Sequence, residues 1–331
     1  MPRLDAADTD TDANGNGLNA GMELETNADS EADSTTHLDG RRDGRRDGVA
    51  EYEKEADSDW EAAYEREVEA AYAPPDTAAQ SLAGAGATPF VACTADPRFA
   101  FAMYIPAAHS FALGTPRLPL LVAVHGARRD TSAFGALHAL CERRGLALLV
   151  PRFPAGHHYQ ALASAHGGVR FDEVLLAMLG QAGRTWRVAT ARVWLHGFSA
   201  GGQFAHRFLY VHARRLRGVA VGAPGGVTRV TGEGWPVGVG DVHRVFGLGE
   251  GVDWAAVRRV EVLVVVGERD TETGTIGRDE VAGRTRVERA RFLHAALVGR
   301  GVGAVLEVVA GVGHDGARCL PAVEAWLAAL L

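Results

Sequence analysis

Val193-Trp194-Leu195-His196-Gly197-Phe198-Ser199-Ala200-Gly201-Gly202 is the stretch on which the reading of this chain turns. It holds Gly-x-Ser-x-Gly, as Gly197, Ser199 and Gly201, with an apolar run before it and a helical pattern after it. A serine on so sharp a turn between strand and helix has a strained backbone. Neighbouring chain passes so close that only the smallest residues fit two places to either side. The turn lifts the hydroxyl clear of a sheet and sets it at a helix N-terminus, where backbone N–H groups favour developing negative charge.

Outward from that turn the chain alternates. Apolar runs predict strands at 99–105, 118–125, 146–150, 192–197, 218–223, 260–267 and 304–309. Helical patterns fall at 131–144, ending at Gly145, and at 171–182, 200–215, 284–298 and 320–331. Strands apolar on both faces, alternating with helices, predict an α/β fold with a doubly wound, mostly parallel sheet. The Gly-rich stretch 224–254, with Trp235, Phe246 and Trp254, breaks the rhythm and reads as a small inserted loop or cap above the sheet.

A serine hydroxyl is a poor nucleophile until a base takes its proton. His314, in the loop between the last predicted strand and the last helix, is the best-placed base. His206 and His212 fall inside the helix after Ser199, and His157-His158 lack a third ligand for a metal. The third member of a triad is a carboxylate that fixes the imidazole tautomer. Asp270 stands just beyond the apolar run 262–266 and is favoured over its neighbours Glu268 and Glu272. An oxyanion hole needs two backbone donors. Ala200, directly after the nucleophile, supplies one. Ala127 supplies the other, from the run Leu120-Leu121-Val122-Ala123-Val124-His125-Gly126-Ala127, with Gly126 allowing close backbone approach and His125 in an orienting or structural role. Arg128, Arg129 and Arg269 flank this set and read as partners of surface carboxylates rather than as a substrate site.

In the order Ser, acid, His, each at a predicted strand end, these pieces resemble the α/β-hydrolase superfamily over residues 90–331. The runs His125-Gly126, Pro151-Arg152-Phe153-Pro154, Gly197-Phe198-Ser199-Ala200-Gly201-Gly202 and Gly267-Glu268-Arg269-Asp270 look like its esterase and polyhydroxyalkanoate-depolymerase-like branch. The resemblance implies hydrolysis of small-molecule carboxylic esters through an acyl-enzyme, with no cofactor and no metal. A thioesterase, an amidase or an acyltransferase would use the same triad. A reading from another class is a non-catalytic protein that binds a partner through its N-terminal region.

That region differs from the rest. Residues 1–70 carry 21 acidic and 7 basic residues, whereas 71–331 carry 20 acidic and 27 basic. Residues 1–48, poor in large apolar side chains, read as a disordered acidic extension. Tyr52, Ala56, Trp60, Tyr64, Val68 and Tyr72 recur every fourth position, which predicts a helix over 49–75, stopped by Pro74-Pro75. A linker is expected at 76–89, and the catalytic domain at 90–331. Scattered arginines without interleaved aromatics argue against nucleic-acid binding, and no run approaches the ~20 apolar residues of a membrane span. Cys93, Cys141 and Cys319 lack metal-type spacing, and the last two read as buried free thiols. With no apolar leader after Met1, a cytoplasmic location is expected. Oligomeric state leaves no mark in the sequence.

Overall fold

A run such as Leu120-Leu121-Val122-Ala123-Val124 makes a stable strand only if both faces are covered. A computed structural model shows that it is. The structure describes residues 84–331 except 113, 130, 132–133, 154–157 and 165–167, together with Ala63 and Arg66. The chain divides into two units, Met1–Lys54 and Glu55–Leu331, and the first lies wholly outside the described residues. The acidic extension, most of the helix expected at 49–75 and most of the linker lie outside them too, although Ala63 and Arg66 are helical.

The strands are β1 (Gly86–Ala87), β2 (Val91–Ala92), β3 (Ala100–Ile105), β4 (Leu120–Val124), β5 (Ala147–Arg152), β6 (Val193–Phe198), β7 (Leu216–Gly222), β8 (Glu261–Gly267) and β9 (Ala304–Val309). They form one sheet in the order β1-β3-β5-β4-β6-β7-β8-β9, with β2 also paired to β3. The strands from β5 to β9 run parallel, and β3 lies antiparallel on β5. β1 falls inside the segment read as a linker. Two residues are too few to show a strand period.

Seven helices follow among the described residues: α1 (Phe134–Arg144), α2 (Phe171–Trp186), α3 (Ala200–His212), α4 (Val242–Phe246), α5 (Trp254–Val257), α6 (Arg286–Val298) and α7 (Gly316–Leu330). Strand alternation sorts the core into two layers. Leu120, Val122 and Val124 join one apolar cluster with α2, α3 and α6, while Leu121 and Ala123 join another with α1 and α7. Two helix ends depart from the sequence reading by four residues. α2 runs on to Trp186 and stops at Arg187, which takes the left-handed conformation (φ 54°) that usually marks a glycine cap. α7 begins at Gly316 because the Asp315 carboxylate accepts from the Arg318 N–H (3.1 Å), a side-chain cap that hydrophobic period does not reveal.

The stretch 224–254 folds as an insertion around α4 and α5. Its Trp235 indole N–H donates to the Ala161 carbonyl (2.6 Å), and Arg170 stacks over the Phe246 ring (4.5 Å). It therefore packs on the start of α2 and the neighbouring turn. All three cysteines are buried and unpaired. Among the described residues no helix is long and apolar enough to cross a membrane.

Burial also sets the protonation of histidines in these layers. His196 Nδ1 donates to the Ala220 carbonyl (3.1 Å), and His206 bridges the Gly202 carbonyl (2.9 Å) and the Thr228 N–H (3.1 Å). Desolvation pushes His196 down to about 4 and His206 to about 3, from an ordinary 6.5. The unfolded chain takes up protons that the native state refuses. Stability is thus fully present above pH 6.5, falls as pH drops through it, and stops falling near 4 for His196 and 3 for His206. Urea unfolding between pH 7 and pH 4 should show a falling midpoint. In His206→Gln the slope should be shallower, whatever that variant's stability at neutral pH.

Candidate active site

The chain order of the sheet reverses at β4. From β4 the chain passes to β5 on one side, then crosses back to β6 on the other. Doubly wound sheets bind ligands beyond the carboxyl ends of their strands at such a point. Ser199 stands there, after β6, with φ 59° and ψ −113°, a conformation that non-glycine residues rarely adopt. Its N–H donates to the Gly222 carbonyl at the end of β7 (2.8 Å), which holds the turn. A Cβ on Gly197 would overlap the Gly201 carbonyl, and a Cβ on Gly201 would overlap the Val124 carbonyl. The steric demand inferred from Gly-x-Ser-x-Gly is therefore real on both sides of the serine. At Gly126 it is not: an added Cβ would meet the Phe198 carbonyl at 3.6 Å and the Ser199 Cβ at 3.9 Å, ordinary contacts. Close approach of main chain does not require that glycine. Its lack of a side chain leaves open the space beside the serine.

His314 and Asp270 reach Ser199 from two further strand ends. The Ser199 hydroxyl lies 3.0 Å from His314 Nε2, and His314 Nδ1 lies 2.6 Å from Asp270 Oδ2. Asp270 is 1% exposed, while the imidazole stays open to the cleft. The rival acids do other things. Glu268 accepts from the Gly311 N–H (2.8 Å) and braces the histidine loop, and Glu272 is an exposed residue of the cavity wall. The Phe198 ring packs against the imidazole, with centroids 5.0 Å apart.

His125 is buried. Its Nε2 accepts from the Phe153 N–H (3.1 Å), which requires the proton on Nδ1, where it donates to the Gly126 carbonyl (2.9 Å). Desolvation holds its pKa below the ordinary value. It ties the end of β4 to the end of β5 and is not placed as a base. Ala200 opens α3, where the first N–H groups have no intrahelical partner. Ala127 lies in the turn after β4, on the wall of the same cavity as Ser199.

That cavity has a volume of about 1160 Å³. On the α1 and α7 side it is apolar, with Phe134, Leu137 and Leu320; on the α3 and α6 side it presents Gln160, Gln203 and Thr275. Its outer wall comes from the loop after β8, including Thr275, Ile276 and Gly277, while Gly225 is the one residue of 224–254 that reaches it. The insertion therefore contributes less to the cavity than its position in the sequence suggests, because it is anchored to Ala161 and Arg170 instead. Among the described residues Arg128, Arg129 and Arg269 form no ion pairs, and Arg128 lines the cavity. His157 and the His158 side chain lie outside the described residues. Among the described residues no group of three or more His, Cys, Asp or Glu side chains gathers as a metal site.

Sequence reading did not find Arg286, whose guanidinium contacts Asp270 (3.3 Å), nor Gln203, nor the wall at 272–277. For Gln203 there was a signal: it follows Ser199 by four residues and so lies on the same helix face. Arg286 left only a faint one, a cation in the first turn of a helix, the end where the dipole disfavours it.

The sheet order and the helices on its two faces fit an α/β-hydrolase fold. No protein-family model matches the chain, and no curated protein matches it by sequence. Solved structures do match. The chain is similar to a poly(3-hydroxybutyrate) depolymerase from Bordetella parapertussis, at 25% identity and a TM-score of 0.57, over 75% of this chain and 90% of that one. A poly(aspartic acid) hydrolase-1 from Sphingomonas sp. KT-1 matches at 17% identity and a TM-score of 0.59, covering 73% of this chain and 98% of that one. A ferulic acid esterase matches at 15% identity and a TM-score of 0.51, over 75% and 97% of the two chains. The last two are alike in fold alone. The first of the three agrees with the esterase and depolymerase-like resemblance drawn from the sequence.

The two glycines separate steric need from open space. Gly201→Ala should push the end of β4 from the turn, cost about 1–3 kcal/mol of stability and abolish reaction of Ser199 with a fluorophosphonate. Gly126→Ala should unfold at the wild-type temperature. Thermal unfolding and labelling of the two variants in parallel check both outcomes.

Proposed function

We propose that this protein is a serine esterase that cleaves small-molecule carboxylic esters through an acyl-enzyme on Ser199. The observation that carries the reading is the continuous hydrogen-bond path from Asp270 Oδ2 through His314 to Ser199 Oγ, with steps of 2.6 and 3.0 Å, opening onto the cavity. As the ester carbonyl is attacked, the Ser199 proton passes to His314 Nε2. The N–H groups of Ala127 and Ala200 stabilise the oxyanion, worth about 3–4 kcal/mol per donor in comparable sites. The imidazolium then gives its proton to the leaving alcohol. Water activated by His314 releases the acid and restores the serine. Asp270, in contact with Nδ1, keeps the imidazole in the tautomer whose Nε2 can accept.

No step calls for a metal or cofactor. The domain reading places the chemistry in residues 90–331, and three buried, unpaired thiols support a reducing, cytoplasmic setting. A chain lacking residues 1–75 should keep wild-type turnover; loss of turnover in a folded, shortened chain would give the N-terminal region a part in the site.

Hydrolysis of a p-nitrophenyl ester series by wild type and Ser199→Ala tests the proposal directly. Wild type should turn over and label with a fluorophosphonate. Ser199→Ala should lose at least ~10⁴-fold in kcat and fail to label. The preferred acyl length should lengthen in Leu137→Ala, which removes apolar wall. Thioester and amide analogues of one acyl group rank the leaving groups, and an added alcohol that diverts the acyl group from water would mark an acyltransferase. A folded wild type that neither hydrolyses nor labels would overturn the reading.

A further inference from the structure

The first turn of α6 carries cations at the end where the backbone already presents partial positive charge. Arg286 and Arg289 are 5% and 2% exposed. A guanidinium buried there persists only where acceptors hold it. Arg289 finds main chain: it donates to the carbonyls of Gly225, Gly277 and Gly283 and braces the cavity wall. Arg286 finds side chains. Its Nη1 donates to Asp270 Oδ1 (3.3 Å) and its Nη2 to Thr275 Oγ1 (3.0 Å). Its Nε is buried without an acceptor, so the group keeps these two partners although a third donor stays unsatisfied.

We infer that Arg286 is a positioning residue of the Ser199 site, acting on His314 through Asp270; the inference rests on the esterase reading above. A carboxylate held at one oxygen pivots about that bond. Asp270 is held at both, by His314 Nδ1 at Oδ2 and by Arg286 Nη1 at Oδ1, which fixes its plane and so the aim of the imidazole. Thr275 belongs to the cavity wall, so one guanidinium joins the wall that faces substrate to the acid that orients the base. The guanidinium also engages part of the Asp270 charge. A variant without it would leave the whole of that charge facing the imidazole. The other ionisable groups around the pair are Arg289 in the same turn of α6, Glu268 and Glu272 after β8, Asp315 at the cap of α7, and Arg318 and Cys319 on α7; among the described residues Arg286 is the arginine bonded to Asp270.

The test is the pH profile of kcat/KM for wild type, Arg286→Met, Arg286→Lys and Arg289→Met, with thermal unfolding of each. Arg286→Met should lose about 10–100-fold in kcat. Its acidic limb should move to higher pH, and millimolar methylguanidinium should restore both. Arg286→Lys keeps the charge but cannot bridge Asp270 and Thr275 together, so its kcat should fall while its acidic limb stays near that of wild type. Arg289→Met removes the brace without touching Asp270, so it should lose stability with the limb unmoved. A wild-type limb and no rescue in Arg286→Met overturn the inference. If that variant does not fold, a wild-type kcat in Arg286→Lys overturns it. A wild type that neither hydrolyses esters nor labels at Ser199 defeats the underlying esterase reading instead, which keeps the two failures apart.

Discussion

A serine at φ 59° between a strand and a helix is the constraint around which the rest is arranged. Backbone held in such a region costs about 1–3 kcal/mol and persists only where its surroundings over-determine it. Here β6 is buried between β4 and β7, the Ser199 N–H is bonded to the end of β7, and main chain stands where side chains at 197 and 201 would be. The sheet supplies the rigidity and the glycines supply the room. The result is a hydroxyl that projects from the sheet edge and does not pack into either layer.

The other members of the site arrive by the same logic. Each follows a strand of the parallel sheet: Ala127 after β4, Asp270 after β8, and His314 after the edge strand β9. Parallel strands put all of these ends on one edge, so residues 71 and 115 positions from the serine meet it within hydrogen-bond reach or through one partner. His125 shows how far the framework goes to keep that edge in register. Its Nε2 accepts from the Phe153 N–H after β5 while its Nδ1 donates to the adjacent Gly126 carbonyl, and burial holds its pKa down. Two histidines on the wall of one cavity thus sit in opposite surroundings, His125 buried and His314 open to the cleft.

The cavity wall obeys a different rule. The loop 272–277 has no strand or helix of its own, and its position depends on two buried arginines of α6 that reach across to its carbonyls and to Thr275. The Thr285–Glu288 capping box fixes the turn from which those arginines project. The cavity wall and Asp270 are therefore joined through one helix terminus rather than through the sheet.

The sequence determined the sheet strands that carry the site, the order of Ser199, Asp270 and His314, and the small residues around the turn, because each rests on local rules: apolar period, turn sterics and chain order. It also placed β4 to β9 to within one or two residues at most ends, since runs apolar on both faces admit few alternatives. Tertiary structure alone decided the rest. The two-residue strands β1 and β2 exist only because β3 offers them an edge. The need for glycine at 126 vanished once the neighbouring atoms were in place, and the insertion 224–254 turned out to be anchored beside the cavity at Ala161 and Arg170. Arg286 stands 16 positions beyond Asp270, past an irregular loop, and its partner is chosen by burial. A guanidinium removed from water must find an acceptor, and no pattern in the chain records which acceptor the fold will bring within reach.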